Sequence, residues 1–231
     1  AGNRTLVFFV FFFLPRVAPR PPPTAGLTAL VATGVGVLVA PAQSLRYWGG
    51  GLAGASGVSG SPFFTNQTFE AVLTRAGVTG VERTAGWLTL SVGLLLLVAP
   101  VIRRAPAPLA LVVAGGAALL VSPTSWSHHW VWVVPAVLVA AVSAWRARST
   151  GWALVTAVLA VTYVVAAHRF LPHDDQRELA WTAVQQCVGA SYVIVALALN
   201  VALWRAWRRR PVAGSPDAPA PIEHTIDQAT S

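Results

Sequence analysis

The feature that most constrains this chain is a succession of six apolar segments that are almost free of charge. Most are slightly shorter than the ~20 residues that a helix needs to cross a bilayer, but small or aromatic neighbours extend them. Lipid offers no partner to backbone N–H and C=O groups, so these segments are expected to be helical. The pattern predicts an all-α, polytopic transmembrane helical bundle of about six spans. The segments are Ala25–Ala40, Ala85–Ile102, Leu109–Val121, Trp130–Trp145, Trp152–Ala167 and Ala183–Trp204.

Composition supports a membrane protein. The 231 residues are 55% hydrophobic and only 10% charged, whereas soluble domains carry about 25% charged residues. A shorter apolar run, Leu6–Leu14, cannot span and is interpreted either as the remnant of a helix that begins upstream or as a re-entrant segment. The single cysteine, Cys187, excludes an internal disulfide and is expected to be a small core residue.

The arginines set the expected orientation. All 16 basic residues are arginine, and ten of them fall on alternate loops, so they lie on one side. By the positive-inside rule that side is the cytoplasm. This distribution by membrane side also accounts for the net charge of +8 without nucleic acid. The ten are Arg16, Arg20, Arg103, Arg104, Arg146, Arg148, Arg205, Arg208, Arg209 and Arg210.

The chain divides into two parts. Residues 1–210 are predicted to form the transmembrane domain. From Pro211 the sequence is rich in Pro, Ala, Ser and Asp, and cannot bury a core. Residues 211–231 are therefore predicted to be a disordered cytoplasmic tail.

The longest loop on the opposite, extracytoplasmic side runs from Pro41 to Thr84. A loop of this length is usually functional or disordered. Its Tyr47 and Trp48 are expected either to anchor at the membrane interface or to stack on sugar rings. Asn66 and Gln67 either bind hydroxyl groups or close a turn, since an amide can both donate and accept hydrogen bonds.

Arg75 follows in the same loop. If Phe69–Gly77 forms a short interfacial helix, Arg75 is expected to face the membrane surface. Its planar donor fork suits a phosphate. Pairing with a lipid headgroup, or snorkelling toward it, is the equally weighted alternative.

His128 and His129 stand where one apolar segment ends and the next begins. Adjacent residues point in different directions on a helix, so they do not form a paired metal-ligand set. One histidine could hydrogen-bond a phosphate or a sugar hydroxyl, while the other is structural.

A last polar loop holds a group of histidines and acids, and a His/Asp cluster of this kind could hold a divalent cation. The spacing favours a solvated polar loop instead, so no metal site is assigned. No cofactor is expected, with a divalent cation as the one alternative left open. The residues are His168, Arg169, His173, Asp174, Asp175 and Glu178.

The run SPTSWSHH at Ser122–His129 resembles the SPxSWxHH signature of glycosyltransferase family 87. Members are polyprenyl-phosphate-mannose-dependent mannosyltransferases of the GT-C type from mycobacteria and their relatives. The segment Asn66–Thr68 with Arg75 is similar to the family's NQS…R segment. Thr68 stands where Ser is usual, and Ser127 stands where an acid is common. The resemblance covers most of residues 1–210.

The resemblance implies transfer of mannose, or a similar sugar, to a lipid or glycan acceptor at the outer face of the cell membrane. The donor is a polyprenyl-phosphate-linked sugar. The family's catalytic acid is expected in an earlier loop, so the chain is interpreted as a C-terminal part that is inactive alone. The residues implied for donor phosphate and sugar binding are His128, His129, Arg75, Asn66, Gln67, Ser125 and Trp126.

A transporter or a non-catalytic membrane subunit is the alternative from another class. Transporters usually place charged groups and broken helices near mid-membrane. Here the spans are almost free of charge and the polar motifs cluster at one face, which favours an interfacial enzyme on a lipid substrate. A scaffold that keeps the fold but has lost catalysis is a third possibility. The sequence leaves the acceptor, the linkage, metal dependence and the oligomeric state open.

Overall fold

The computed structural model describes residues 21–46 and 60–210, and within these ranges the regular elements are helices joined by loops. The predicted remnant at Leu6–Leu14, the aromatic pair Tyr47 and Trp48, and the predicted tail lie outside the described residues. The α-helices are α1 (Pro21–Val39), α2 (Pro41–Arg46), α3 (Phe69–Arg75), α4 (Gly80–Arg104), α5 (Ala107–Val121), α6 (Val133–Ala147), α7 (Thr150–Val165), α8 (Ala183–Gly189) and α9 (Ser191–Trp207).

Helix α5 forms the centre of the bundle. Its sequence is apolar on every side, and ten of its residues are buried, as expected of a helix surrounded by other helices. It packs along α4, and the indole Nε1 of Trp87 donates to the Val121 carbonyl at 2.9 Å. This bond places the beginning of α4 beside the end of α5.

Helices α6 and α7 form an antiparallel hairpin. Arg148 ends α6 in the left-handed conformation, with φ of 44°, which reverses the chain direction. The Ser149 hydroxyl then accepts from the Trp152 amide and caps the start of α7. Short polar side chains favour this position because they satisfy an amide that the first turn leaves unpaired.

The last predicted span is broken. Helices α8 and α9 are bent by 70° at the junction that follows Gly189. The Trp181 ring lies directly against Gly189, where a β-carbon would overlap it. Cys187 is exposed on α8, so the expectation that it is a core residue was wrong: the bend carries α8 away from the packed face of α9.

The all-helical fold class is confirmed, whereas the number of six spans is not. Three helical stretches, Gly80–Arg104, Ser127–Ala147 and Thr150–Phe170, are long and apolar enough to cross a membrane, and the bent pair α8–α9 is a fourth if it counts as one span. Each of the six predicted segments is helical, but α5 has only 15 residues. At 1.5 Å per residue it is shorter than the ~30 Å hydrocarbon core.

The ends of α4 and α9 meet at one end of the bundle. Arg104 Nε donates to the Arg210 carbonyl at 2.7 Å. The guanidinium groups of Arg208 and Arg210 cover the rings of Trp204 and Trp207 at 4.5 and 4.4 Å. We call this region the arginine end, defined by Arg103, Arg104, Arg146, Arg148, Arg205, Arg208, Arg209 and Arg210.

Replacing Gly189 by alanine is expected to destabilise the bundle, because the new methyl group meets the Trp181 ring. The expected loss is about 1–3 kcal/mol of unfolding free energy. Gly93→Ala in α4 is the matched control, since no atom lies within 4 Å of a β-carbon there, and its effect is expected to be neutral or a gain of up to ~1 kcal/mol. Thermal unfolding in detergent compares the two. Equal melting temperatures would contradict the packing at the bend.

Candidate functional site

Two segments that sequence analysis selected separately lie side by side. The backbone amide of Gln67 donates to the Ser125 carbonyl, and the backbone amide of Ser125 donates to the side-chain Oδ1 of Asn66, each at 2.9 Å. Asn66 and Trp126 form an isolated antiparallel bridge. The Gly60 amide adds a bond to the Pro123 carbonyl at 3.1 Å. We call residues 60–68 together with 122–129 the motif frame.

The side chains of Asn66 and Gln67 hold this frame together. Both are fully buried. Asn66 Nδ2 donates to the Ser61 carbonyl at 3.0 Å, while Gln67 Nε2 donates to the carbonyls of Phe64 and Gly189 at 2.9 and 2.8 Å. These contacts match the turn-closing alternative of the sequence analysis. Gln67 Oε1 is buried and has no hydrogen-bond partner in the part of the chain that the structure describes.

Thr68 begins the short helix that was predicted after the motif. Its hydroxyl accepts from the Ala71 amide at 3.1 Å and caps α3. The helix ends at Arg75, two residues before the predicted boundary at Gly77. The hydroxyl that Thr68 shares with the family's usual Ser therefore has a structural role at this position.

Arg75 lies in the interior, so the expectation that it faces the membrane surface was wrong. Only 1% of it is exposed. Its Nη1 donates to the carbonyls of Asn66, Pro62 and Phe63 at 3.0, 3.3 and 3.4 Å. The physical reason is that the loop before α3 folds back over the helix and presents its carbonyl groups to the guanidinium.

The charge of Arg75 is partly balanced by Glu178, which is also 1% exposed. Burial lowers the pKa of Arg75 to about 10, and the Glu178 carboxylate opposes that shift. Arg75 therefore remains a cation near neutral pH. The Glu178 carboxylate also accepts from the Phe64 amide at 3.1 Å, which ties the last polar loop to the motif frame.

The two adjacent histidines have different surroundings in a 3-10 helix, Ser127–Trp132. His129 Nδ1 accepts from the Trp126 amide at 3.2 Å, so the neutral ring carries its proton on Nε2. His128 is exposed, and the two ring centroids lie 4.3 Å apart, edge to face. One histidine is thus fixed to the frame by a hydrogen bond, and the other is exposed.

The remaining predicted binding residues belong to the same frame. Ser125 is 2% exposed and contributes its backbone. The half-buried Trp126 ring meets Phe63 edge to face, with 5.8 Å between centroids. In the candidate site the imidazole of His128 is exposed and the indole of Trp126 is half-buried, and both lie on a buried layer of amides and one guanidinium.

The last polar loop is only partly solvated. Arg177 pairs with Asp174 at 3.2 Å on the exposed side, but His168 and Glu178 are both buried. His173 stacks on Phe64 with ring centroids 3.9 Å apart. Within residues 21–46 and 60–210, no group of three or more His, Cys, Asp or Glu residues could hold a metal ion.

Sequence reasoning did not single out the packing role of this loop. Trp181 and Gln186 contact Arg75: Trp181 has its ring 5.6 Å from the guanidinium, and Gln186 Nε2 donates to the Arg75 carbonyl at 2.8 Å. Glu178 acts on Arg75 through its charge. These residues lie more than 100 positions from Arg75, and no local pattern marks them. The only general clue to these contacts is that an arginine, once buried, needs a carboxylate to balance its charge.

Comparison with known proteins places this architecture in a class of membrane enzymes. The profile of glycosyltransferase family 87 matches residues 5–123, which is more than half of the chain. The chain therefore belongs to glycosyltransferase family 87. No solved structure matches it.

Two curated relatives extend the match beyond the profile. Both are called polyprenol-phosphate-mannose-dependent alpha-(1-2)-phosphatidylinositol mannoside mannosyltransferase, one from Mycobacterium tuberculosis and one from Mycolicibacterium smegmatis. Each is 34% identical to this chain, over 203 and 208 residues respectively, which is 85% of this chain and 47% of each relative. The chain thus spans about half the length of the curated relatives it matches.

Replacing Arg75 by methionine is expected to destabilise the motif frame by roughly 3 kcal/mol, because three carbonyls lose their donor and Glu178 remains buried without its cation. Chemical unfolding in detergent measures the loss. Adding Glu178→Gln to the same chain is expected to recover part of it. Arg169→Gln, at an exposed position, is the control and is expected to change stability by less than about 0.5 kcal/mol. Similar losses for both arginines would contradict this account.

Proposed function

We propose that the chain is part of a membrane glycosyltransferase that transfers mannose from a polyprenyl-phosphate-linked donor to a glycolipid. The observation that carries the proposal is the motif frame, in which the two segments that resemble the family's signatures are joined by hydrogen bonds. The names of the two relatives indicate the donor, polyprenol-phosphate-mannose, and the acceptor class, a phosphatidylinositol mannoside.

In the proposed reaction, an acceptor hydroxyl attacks the anomeric carbon of mannose and forms the new C–O bond. The bond from that carbon to the phosphate oxygen breaks, and polyprenyl phosphate leaves with the electron pair. Inversion at the anomeric carbon is expected for the family. A carboxylate base takes the proton of the hydroxyl, and we place that base outside this chain, which spans about half of its relatives.

This chain is proposed to stabilise the leaving phosphate. His129 uses Nδ1 to accept from the frame, so its Nε2–H is available as a donor. His128 is exposed beside it and supplies a second donor. Donors held in place before the reaction stabilise the charge that develops on a leaving group. Arg75 is buried behind the frame, and we assign it to positioning the frame and to long-range electrostatic support.

We further propose that the motif frame faces the outside of the cell membrane and that the arginine end faces the cytoplasm. The described acids, Glu70, Glu82, Asp174, Asp175 and Glu178, all lie on the loops of the motif side or in the first turn of α4. An excess of arginine without acids is typical of the cytoplasmic side. Both substrates in this proposal are lipids, so an interfacial site gives their headgroups access.

The bend between α8 and α9 is the observation that keeps a transporter as the second candidate, because broken helices are common at transport sites. In this chain the bend lies beside the motif frame, and Gln67 binds the Gly189 carbonyl. The arrangement favours an enzyme whose polar groups collect at one end of the bundle.

A transfer assay in membranes tests the proposal. It uses radiolabelled polyprenyl-phosphate-mannose and phosphatidylinositol mannosides, with this chain and with a form extended by its upstream sequence. We expect no transfer by this chain alone and transfer by the extended form. His128→Ala and His129→Ala in the extended form are each expected to lower the transfer rate by about 100-fold, the typical cost of losing one donor to developing charge.

His173→Ala is the matched control, since this histidine also lies at the motif end but stacks on Phe64. Its transfer rate is expected to stay within a few-fold of the unmodified protein. Activity that survives both motif substitutions would remove the histidines from the mechanism. No transfer by any correctly inserted form would favour a non-catalytic membrane subunit.

A further inference from the structure

A cavity of about 480 Å³ lies inside the bundle between α5, α6, α7 and α9. Its wall is almost entirely apolar, with side chains such as Val113, Ala136, Leu159 and Leu203. The volume is within the range of about 300–1,000 Å³ that holds small ligands in proteins. An apolar lining of this kind favours a ligand with a hydrocarbon chain.

One end of this cavity reaches the arginine end. Ser149, Gly151, Trp207 and Arg210 line it there. Arg104 is beside them, because its Nε donates to the Arg210 carbonyl. A ligand whose hydrocarbon chain fills the cavity would therefore leave its polar group next to two guanidinium groups.

The arginine end has an excess of positive charge. It holds eight of the 16 arginines, and none of the five acids in residues 21–46 and 60–210 lies there. The three further acids, Asp217, Glu223 and Asp227, cannot neutralise eight guanidinium groups. The structure therefore has a hydrocarbon cavity that opens beside unneutralised cations.

We propose that this cavity binds an anionic glycerophospholipid, with an acyl chain between α5, α6, α7 and α9 and the phosphate between Arg104 and Arg210. Anionic headgroups bind basic pockets between transmembrane helices, where each arginine contributes Coulomb attraction and forked hydrogen bonds. The site lies at the opposite end from the motif frame and does not depend on the proposed transfer reaction. It assigns the lipid a structural or regulatory place in the fold.

Lipid retention by the purified chain tests the proposal. The chain is reconstituted in nanodiscs of phosphatidylcholine with a minor fraction of phosphatidylglycerol, and the bound lipids are identified by native mass spectrometry after detergent release. The unmodified chain is expected to retain phosphatidylglycerol in preference to phosphatidylcholine. Arg104→Gln and Arg210→Gln are each expected to weaken that retention roughly fivefold.

Filling the cavity provides a second, independent variant. Gly116 lines the cavity, and no atom lies within 4 Å of a β-carbon built on it, so a leucine there enters open space. By displacing about two methylene groups of the acyl chain, Gly116→Leu is expected to weaken retention roughly tenfold. Gly93→Leu is the matched control, because Gly93 is equally open but lies on the exposed face of α4. Arg169→Gln is the control for charge.

Three results would overturn the proposal. The first is retention of phosphatidylglycerol that is equal in all variants. The second is retention of phosphatidylcholine and phosphatidylglycerol in proportion to their supply. The third result comes from a competition experiment in which polyprenyl phosphate is added. If it displaces the bound lipid in a way that depends on Gly116 but not on Arg104 or Arg210, the cavity belongs to an isoprenoid chain instead.

Discussion

The burial of one cation, the guanidinium of Arg75, is the constraint on which the motif end depends. A cation removed from water is stable only when hydrogen-bond acceptors and counter-charges surround it. The chain meets part of this requirement, because Nη1 of Arg75 donates to carbonyls of the loop at Pro62–Asn66 and the carboxylate of Glu178 supplies a counter-charge. Nε and Nη2 of Arg75 have no hydrogen-bond partner among the described residues. The loop is thereby folded over α3, and Asn66 is placed where its Oδ1 accepts a hydrogen bond from the Ser125 backbone amide. The exposed His128 and the half-buried His129 are held on this layer.

The elements could be predicted from the sequence because their signals are local. Apolar length and the absence of charge located the six predicted segments within a few residues at most ends, and the short helix expected at Phe69–Gly77 is α3. The number of spans could not be predicted, since the apolar length of α5 is too short to show whether it crosses the membrane and the bend after Gly189 divides the last segment. Whether such a short or bent helix crosses the membrane depends on its packing against its neighbours.

The sequence selected residues that the structure brings together, but it did not predict their geometry. Asn66, Gln67, Ser125 and Trp126 were selected by resemblance, and hydrogen bonds and a bridge join their segments. The amides and Arg75 are buried, whereas His128 is exposed. The partners of Arg75 outside its own loop, Glu178, Trp181 and Gln186, lie more than 100 residues away, and contacts over such separations carry no sequence periodicity from which they could be deduced.

The bend between α8 and α9 has a consequence for how sequences of this kind can vary. The Gly189 carbonyl lies at the end of a helix, where no intrahelical donor reaches it, and Gln67 supplies the missing hydrogen bond. The Trp181 ring occupies the space that a larger residue at position 189 would need. Positions 67, 181 and 189 therefore form one unit, and we expect substitutions at these positions to covary among relatives that keep the bend.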